Sequence, residues 1–137
     1  MSETLEGRPP GPTYRTPYEA LGEVGVRRLV DAFYDAMAHD PSAAELRRMH
    51  ASDLGPMRER LSDWLVGWMG GPRLYAQRHP GRPCVVSAHG SLRISAREAE
   101  QWMHCMRHAL KETAAPPELA AMLEPAFAQM CEALTNA

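Results

Sequence analysis

One histidine stands apart in this chain as a group able to do chemistry. His89 lies in Ser87-Ala88-His89-Gly90-Ser91-Leu92, at the end of a stretch rich in Pro and Gly. That stretch is roughly two dozen residues without a helical or strand period, a length expected to be functional or to carry short structure of its own. An imidazole presented from such a loop can ligate a metal or a metal-bearing cofactor; a plain surface histidine is the alternative. His79, in the same stretch, is the fallback ligand. His104 and His108 form an HxxxH pair that sets two imidazoles on one helical face, as zinc sites require. No acidic residue is interleaved between them and both fall off the apolar stripe, so a solvated face is expected there. The pairs Arg27-Arg28 and Arg47-Arg48 read as solvated too.

Helices must position these groups. Thr16-Pro17-Tyr18-Glu19 has a cap residue, proline at the first helical position and glutamate three after the cap. Gly22 and Gly25 are expected to interrupt that helix at once and leave it short. From Val26 the residues Leu29, Val30, Phe33, Tyr34 and Met37 make one helical stripe that stops near His39-Asp40-Pro41. Ser42-Ala43-Ala44-Glu45 reads as a second capping box before a short turn reaching Met49-His50. The next helix starts around Ser52 to Pro56 and carries Met57, Leu61, Trp64, Leu65 and Trp68 on one face until Gly70-Gly71-Pro72 ends it.

Beyond the loop, Ser95-Ala96-Arg97-Glu98 caps a helix with Ala99, Trp102, Met103, Met106 and Leu110 inward. Pro116-Pro117 opens the last helix, with Leu119, Met122, Leu123, Phe127, Met130 and Leu134 inward. Pro125 inside it is expected to kink or divide it, at a cost of about 3 kcal/mol. Val85-Val86 is the one strand-like pair, too short to build a sheet. The domain is expected to be all-α.

With 137 residues the chain is one domain, able to bury about two-thirds of its unfolded surface. Its net charge of -2, with both signs interspersed, points to neither a nucleic-acid nor a membrane partner. Residues 1 to 15 read as a flexible polar arm without the apolar core of a signal peptide, leaving 16 to 137 as the domain. Three cysteines, odd in number and far apart, fit a reducing, cytoplasmic setting better than a disulfide framework. Four substantial helices are few for burying three tryptophans and nine methionines. A flat apolar prosthetic group between two helical pairs would resolve that, as would a plain bundle. With His89 between aromatic helical faces, haem is the best candidate.

The residues in this order resemble a truncated haemoglobin of group II. The likeness is carried by Phe33-Tyr34, Leu46-Arg47-Arg48-Met49-His50, Arg60-Leu61, Trp64-Leu65, Trp68-Met69-Gly70-Gly71-Pro72, Tyr75, His89 and Trp102, and runs from about Thr16 to the C-terminus. It implies a truncated globin-like sandwich of two helices over two, enclosing haem b, with His89 as the proximal iron ligand. It also implies Tyr34, His50 and Trp102 as distal hydrogen-bond donors, with Met57 and Leu61 as the apolar part of that wall. Phe33 and Trp64 would pack nearby, and Arg60 and Tyr75 would reach the propionates, where a guanidinium fork suits a carboxylate. The chain departs from the family pattern at Ala88 and at Gly90-Ser91-Leu92, where relatives commonly carry Arg and Ala-Pro-Phe. His50 stands where relatives often have Tyr or Phe.

The function implied is binding of dioxygen and other diatomic ligands at haem iron, the distal pocket deciding between binding and activation. The alternative on the same scaffold is an enzyme that detoxifies nitric oxide or peroxide. With no flavin or nicotinamide motif in this chain, such an enzyme would depend on a separate reductase. A cofactor-free helical interaction domain is the alternative of another class. A monomer or a homodimer is expected.

Overall fold

The computed structural model describes residues 15–81 and 92–136. The expected arm apart from Arg15, and with it Cys84, Val85-Val86, Ala88, His89, Gly90 and Ser91, therefore lie outside the described residues. Within them the chain forms α1 (Pro17–His39), a 3-10 turn (Pro41–Ala43), α2 (Ala44–Arg48), α3 (Gly55–Trp68), α4 (Leu74–Arg78), α5 (Ala96–Glu112) and α6 (Pro117–Leu134), with no strand. None of these helices is long and apolar enough to cross a membrane.

The caps explain where the long helices begin. Thr16 Oγ1 accepts the Glu19 N–H at 3.2 Å, with Pro17 completing the first turn of α1. Glu98 accepts from both the N–H and the hydroxyl of Ser95, at 2.7 and 2.6 Å, and fixes the start of α5. The expected box at Ser42 to Glu45 does not form. Asp40 is the capping residue instead, its carboxylate accepting from Ser42 N and Oγ at 2.9 and 2.8 Å. Asp40 lies next to Pro41, which sets the turn two residues earlier than the Ser-Glu spacing implied. The Ser42 main-chain N–H, followed by the His104 imidazole and the Ser42 hydroxyl, also holds the Asp40 carboxyl down at about 2.

Only one of the two early glycines breaks α1. Gly22 takes φ 66°, ψ 176°, a conformation that glycine adopts without penalty, while Gly25 stays inside the helix. As expected from the sequence, Gly22 sets off a short first helical segment, residues 17–21, from the long helix that follows across a kink. At the far end of α3, Gly70 and Gly71 permit a close approach to α1. A Cβ on Gly70 would stand 2.7 Å from Thr16 Cγ2, and one on Gly71 would stand 2.7 Å from the Tyr18 ring. The Tyr18 N–H donates to the Met69 carbonyl at 3.0 Å across that contact.

Val26, Leu29, Val30, Phe33 and Met37 bury one face of α1, which packs on both α3 and α5, while α5 packs on α6. The result is two helical pairs, α1 with α3 and α5 with α6. Burying side chains of this size stabilises the fold by roughly 1.5–3 kcal/mol each. Pro125 does not divide α6, which runs unbroken from Pro117 to Leu134. Met122, expected inward, is 47 % exposed. The buried stripe of α6 steps by four through Leu119, Leu123, Phe127 and Cys131, and each step advances it roughly 40° around the axis, away from Met122. Cys105 and Cys131 are buried free thiols; burial pushes both up to about 11, which leaves them inert.

Part of the loop after Pro72 is the short helix α4, held by an ionic clamp. Asp63 of α3, 2 % exposed, accepts from Arg27 of α1 at 2.6 Å and from Arg78 of α4 at 3.0 Å. His79 Nε2 lies 2.9 Å from its other oxygen. Glu23 joins the same group through Arg27 at 3.0 Å and Arg78 at 3.4 Å. Burial alone would raise the Asp63 carboxyl, but the hydrogen bonds from His79 and Arg27 outweigh it and hold the carboxyl below the usual carboxylate range.

Candidate haem and ligand site

Three of the residues expected to face a small ligand come together, although they arise from α1, the turn after α2, and α5. Phe33 is the common neighbour: its ring centre lies 5.0 Å from that of Tyr34, edge to face, and 5.0 Å from that of Trp102. The His50 ring meets Tyr34 edge-on at 5.9 Å. The helical stripe of α1 explains why Phe33 is fully buried and its neighbour Tyr34 lies at the edge of the same face.

Two donors of this cluster, on Tyr34 and Trp102, are uncommitted among the described residues. Tyr34 is 2 % exposed, yet its hydroxyl has no hydrogen-bond partner among the described residues. The indole N–H of the half-buried Trp102 likewise makes no hydrogen bond within them. A buried hydroxyl left unpaired costs roughly 1–3 kcal/mol, so such a group is expected to have a partner when the site is filled. Burial raises the Tyr34 phenol beyond its usual value and Arg58 only partly offsets this, so the group stays protonated and can donate. His50 Nδ1 lies 2.9 Å from the Leu46 carbonyl, which can only accept, so Nδ1 carries the proton.

The apolar wall comes from α3. Met57, Leu61, Trp64 and Trp68 share a stripe roughly 60° wide, and all four are half-buried. Leu65 and Val66 lie to the other side and are fully buried. Among the described helices α3 packs closely on α1 and α4, but not on α6. The two faces meet through side chains instead: Trp68 stacks on Phe127 at 4.9 Å and on Trp64 at 6.0 Å, and Phe127 touches Trp102 at 5.4 Å. A helix with a second apolar face but no helix closely packed on it, beside an orphaned buried donor, fits a flat apolar group bearing a polar ligand. Arg60 lies at the edge of the stripe with Nη1 3.8 Å from the Met57 sulfur. Tyr75 of α4 is half-buried, its ring 5.0 Å from that of His79.

Several residues that shape the site were not singled out from the sequence. Trp68 and Phe127 belong to the aromatic wall; their place on the apolar stripes of their helices was the available signal. Arg58 was invisible as a site residue. Its guanidinium sits 5.9 Å over the Tyr34 ring while pairing with Asp31 at 3.1 Å and Asp35 at 2.8 Å, which ties α3 to α1 beside the phenol. His104 and His108 are exposed and turn to separate carboxylates, Asp40 at 2.6 Å and Glu112 at 3.8 Å. Among the described residues no group of three or more His, Cys, Asp or Glu could hold a metal ion.

A family model described as bacterial-like globin matches residues 16–136. The chain is 34% identical over 100 residues to group 2 truncated hemoglobin YjbI of Bacillus subtilis (strain 168), covering 73% of each chain. Among solved structures it is similar to the cold-adapted truncated hemoglobin of the Antarctic marine bacterium Pseudoalteromonas haloplanktis TAC125. The TM-score is 0.83 and the identity 35%, covering 90% of this chain and 99% of that one. The group II 2-on-2 hemoglobin of the plant pathogen Agrobacterium tumefaciens matches with a TM-score of 0.82 at 30% identity, over 93% and 98% of the two chains. The chain thus belongs to the bacterial-like globin family as a group II truncated haemoglobin, built on two helices over two, in a family that binds haem and diatomic gases.

Proposed function

We propose that this protein binds haem b with His89 as the proximal ligand and holds dioxygen or another diatomic ligand on the side lined by Tyr34, His50 and Trp102. The single observation that carries the reading is the buried Tyr34 hydroxyl without a partner among the described residues, beside Trp102 and His50. When bound, the haem supplies the iron at which a diatomic ligand is held. The chain's own residues then decide how long the ligand stays. Tyr34 and Trp102 donate hydrogen bonds toward it, and Phe33 holds the two rings in place. Met57, Leu61 and Trp64 keep water away from the same space, and Arg60 and Tyr75 meet the propionates at the rim.

His79 does not compete for the iron in this reading, because its Nε2 is committed to the buried Asp63 carboxylate at 2.9 Å. Absorption spectra of the ferric, ferrous and CO-bound forms test the assignment. Parent protein expressed with adequate haem supply shows a Soret band, His89→Ala loses haem or keeps it only with added imidazole, and His79→Ala retains the parent spectrum. Normal haem retention in His89→Ala with an unchanged iron–histidine stretching band would overturn it.

A further inference from the structure

α5 holds α2, the helix that leads into the turn carrying His50, through the Gln101 side chain, with Arg97 pairing with Glu45 at 3.7 Å. Gln101, the neighbour of Trp102, reaches across to α2: its Oε1 accepts the Leu46 N–H at 2.9 Å and its Nε2 donates to Glu45 Oε1 at 2.6 Å. Reversing the amide would set N–H against N–H and oxygen against a carboxylate, so these two partners fix its orientation. Leu46 is in the first turn of α2, where an N–H has no acceptor within the helix. Ser42 was expected to cap that turn and does not; Gln101 does so from 55 residues away. The Leu46 carbonyl in turn accepts from His50 Nδ1 at 2.9 Å. Arg47 secures the other end of the turn, donating to the Ala51 and Ser52 carbonyls at 3.0 Å each.

We propose that Gln101 is a positioning residue for the ligand side. By gripping the N–H of Leu46, whose carbonyl grips the imidazole, it holds His50 in place as the Nδ1–H tautomer, with Nε2 the unprotonated nitrogen of the neutral ring. A primary amide suits this task, since only a group with both an acceptor and a donor satisfies Leu46 and Glu45 together. The inference deepens the functional reading above and rests on it, because it takes His50 as a residue of the ligand pocket.

The test uses haem-loaded ferrous protein in the CO form, which is diamagnetic, with nitrogen-15 in its histidines. Two-bond proton–nitrogen correlation at about pH 8, above the ordinary imidazole range, reads the tautomer of each ring directly. The parent shows His50 as Nδ1–H. Gln101→Met, of similar length but without hydrogen bonds, shows a mixture of tautomers and a dioxygen off-rate changed on the order of fivefold. Gln101→Asn, an amide one methylene too short, moves both readouts the same way and carries the test if Gln101→Met does not fold. Gln101→Glu combined with Glu45→Gln keeps an acceptor for Leu46, exchanges donor and acceptor between positions 101 and 45, and restores the parent tautomer. His50→Phe separates the two levels of the argument. If it leaves the CO stretching frequency and the dioxygen off-rate unchanged, the pocket reading itself fails. If it moves both while Gln101→Met and Gln101→Asn keep the parent tautomer and off-rate, the role given to Gln101 is overturned and the pocket stands.

Discussion

Tyr34 and Asp63 are equally buried, each 2 % exposed, yet the fold treats their polar atoms in opposite ways. Asp63 is saturated: two guanidinium groups and an imidazole surround one carboxylate, drawn from α1, α4 and the residue that follows α4. Tyr34 has the Phe33 and His50 rings beside it and the Arg58 cation over its face, and its hydroxyl makes no hydrogen bond among the described residues. A buried charge without partners would unfold the region, so the clamp must be complete in the folded chain. A buried neutral hydroxyl without a partner costs far less and can wait for a ligand. Saturation marks the part of the molecule that holds shape, and its absence marks the part that receives something.

The largest expected effect lies at the clamp. Asp63→Asn removes the buried carboxylate and leaves Arg27 and Arg78 only the half-exposed Glu23 as a shared anion, at 3.0 and 3.4 Å. Because both guanidinium groups keep water on one side, the loss is about 2–3 kcal/mol, at or below the lower end for a broken buried pair. Urea unfolding of the CO-bound protein measures it. The dioxygen off-rate stays within about twofold of the parent. A tenfold change in off-rate would erase the distinction between the two regions.

Acid sharpens the same point. The carboxyl of Asp63 is held below its unfolded value, so its contribution is fully present above the unfolded value of about 3.9 and is lost as pH falls through the folded one. Parent stability therefore drops below about pH 4 with a share that Asp63→Asn lacks. Parallel acid unfolding curves for the two proteins would remove Asp63 from the account.

A smaller effect is expected at His50. With Nδ1–H held to Leu46, Nε2 accepts while the ring is neutral and donates only after protonation. Tyr34 stays protonated, and the Arg58 guanidinium over its ring stays charged, because the effect of burial is outweighed by its hydrogen bonds to Asp35 and Asp31. Dioxygen should therefore leave about threefold more slowly at pH 5.5 than at pH 8.5, and His50→Phe should flatten that profile. Identical profiles in the two proteins would place His50 away from the ligand.

Residue types and short spacings made much of this legible in the sequence. The caps at Thr16 and Ser95 are local, the Gly-Gly-Pro break ends α3 as expected, and the aromatic rings of the pocket sit on apolar helical stripes. What was not legible depends on partners far apart in the chain. Nothing near Asp63 announces Arg27, 36 residues before it. Nothing near Gln101 announces Leu46, and the competing Ser42 cap looked sufficient because it needs only local spacing. Met122 was misread for a different reason: a stripe that steps by four drifts around the helix and leaves its first-turn neighbour in solvent.

Stopped-flow dissociation of dioxygen from Tyr34→Phe and Trp102→Phe, beside the parent at one pH and temperature, tests most directly whether the uncommitted donors serve a ligand. Each substitution removes one donor and keeps an aromatic ring. A hydrogen bond worth about 0.5–1.5 kcal/mol, or more to a charged acceptor, sets the off-rate increase at about tenfold for each. Off-rates within twofold of the parent for both variants would mean that these side chains only pack, and would contradict the account.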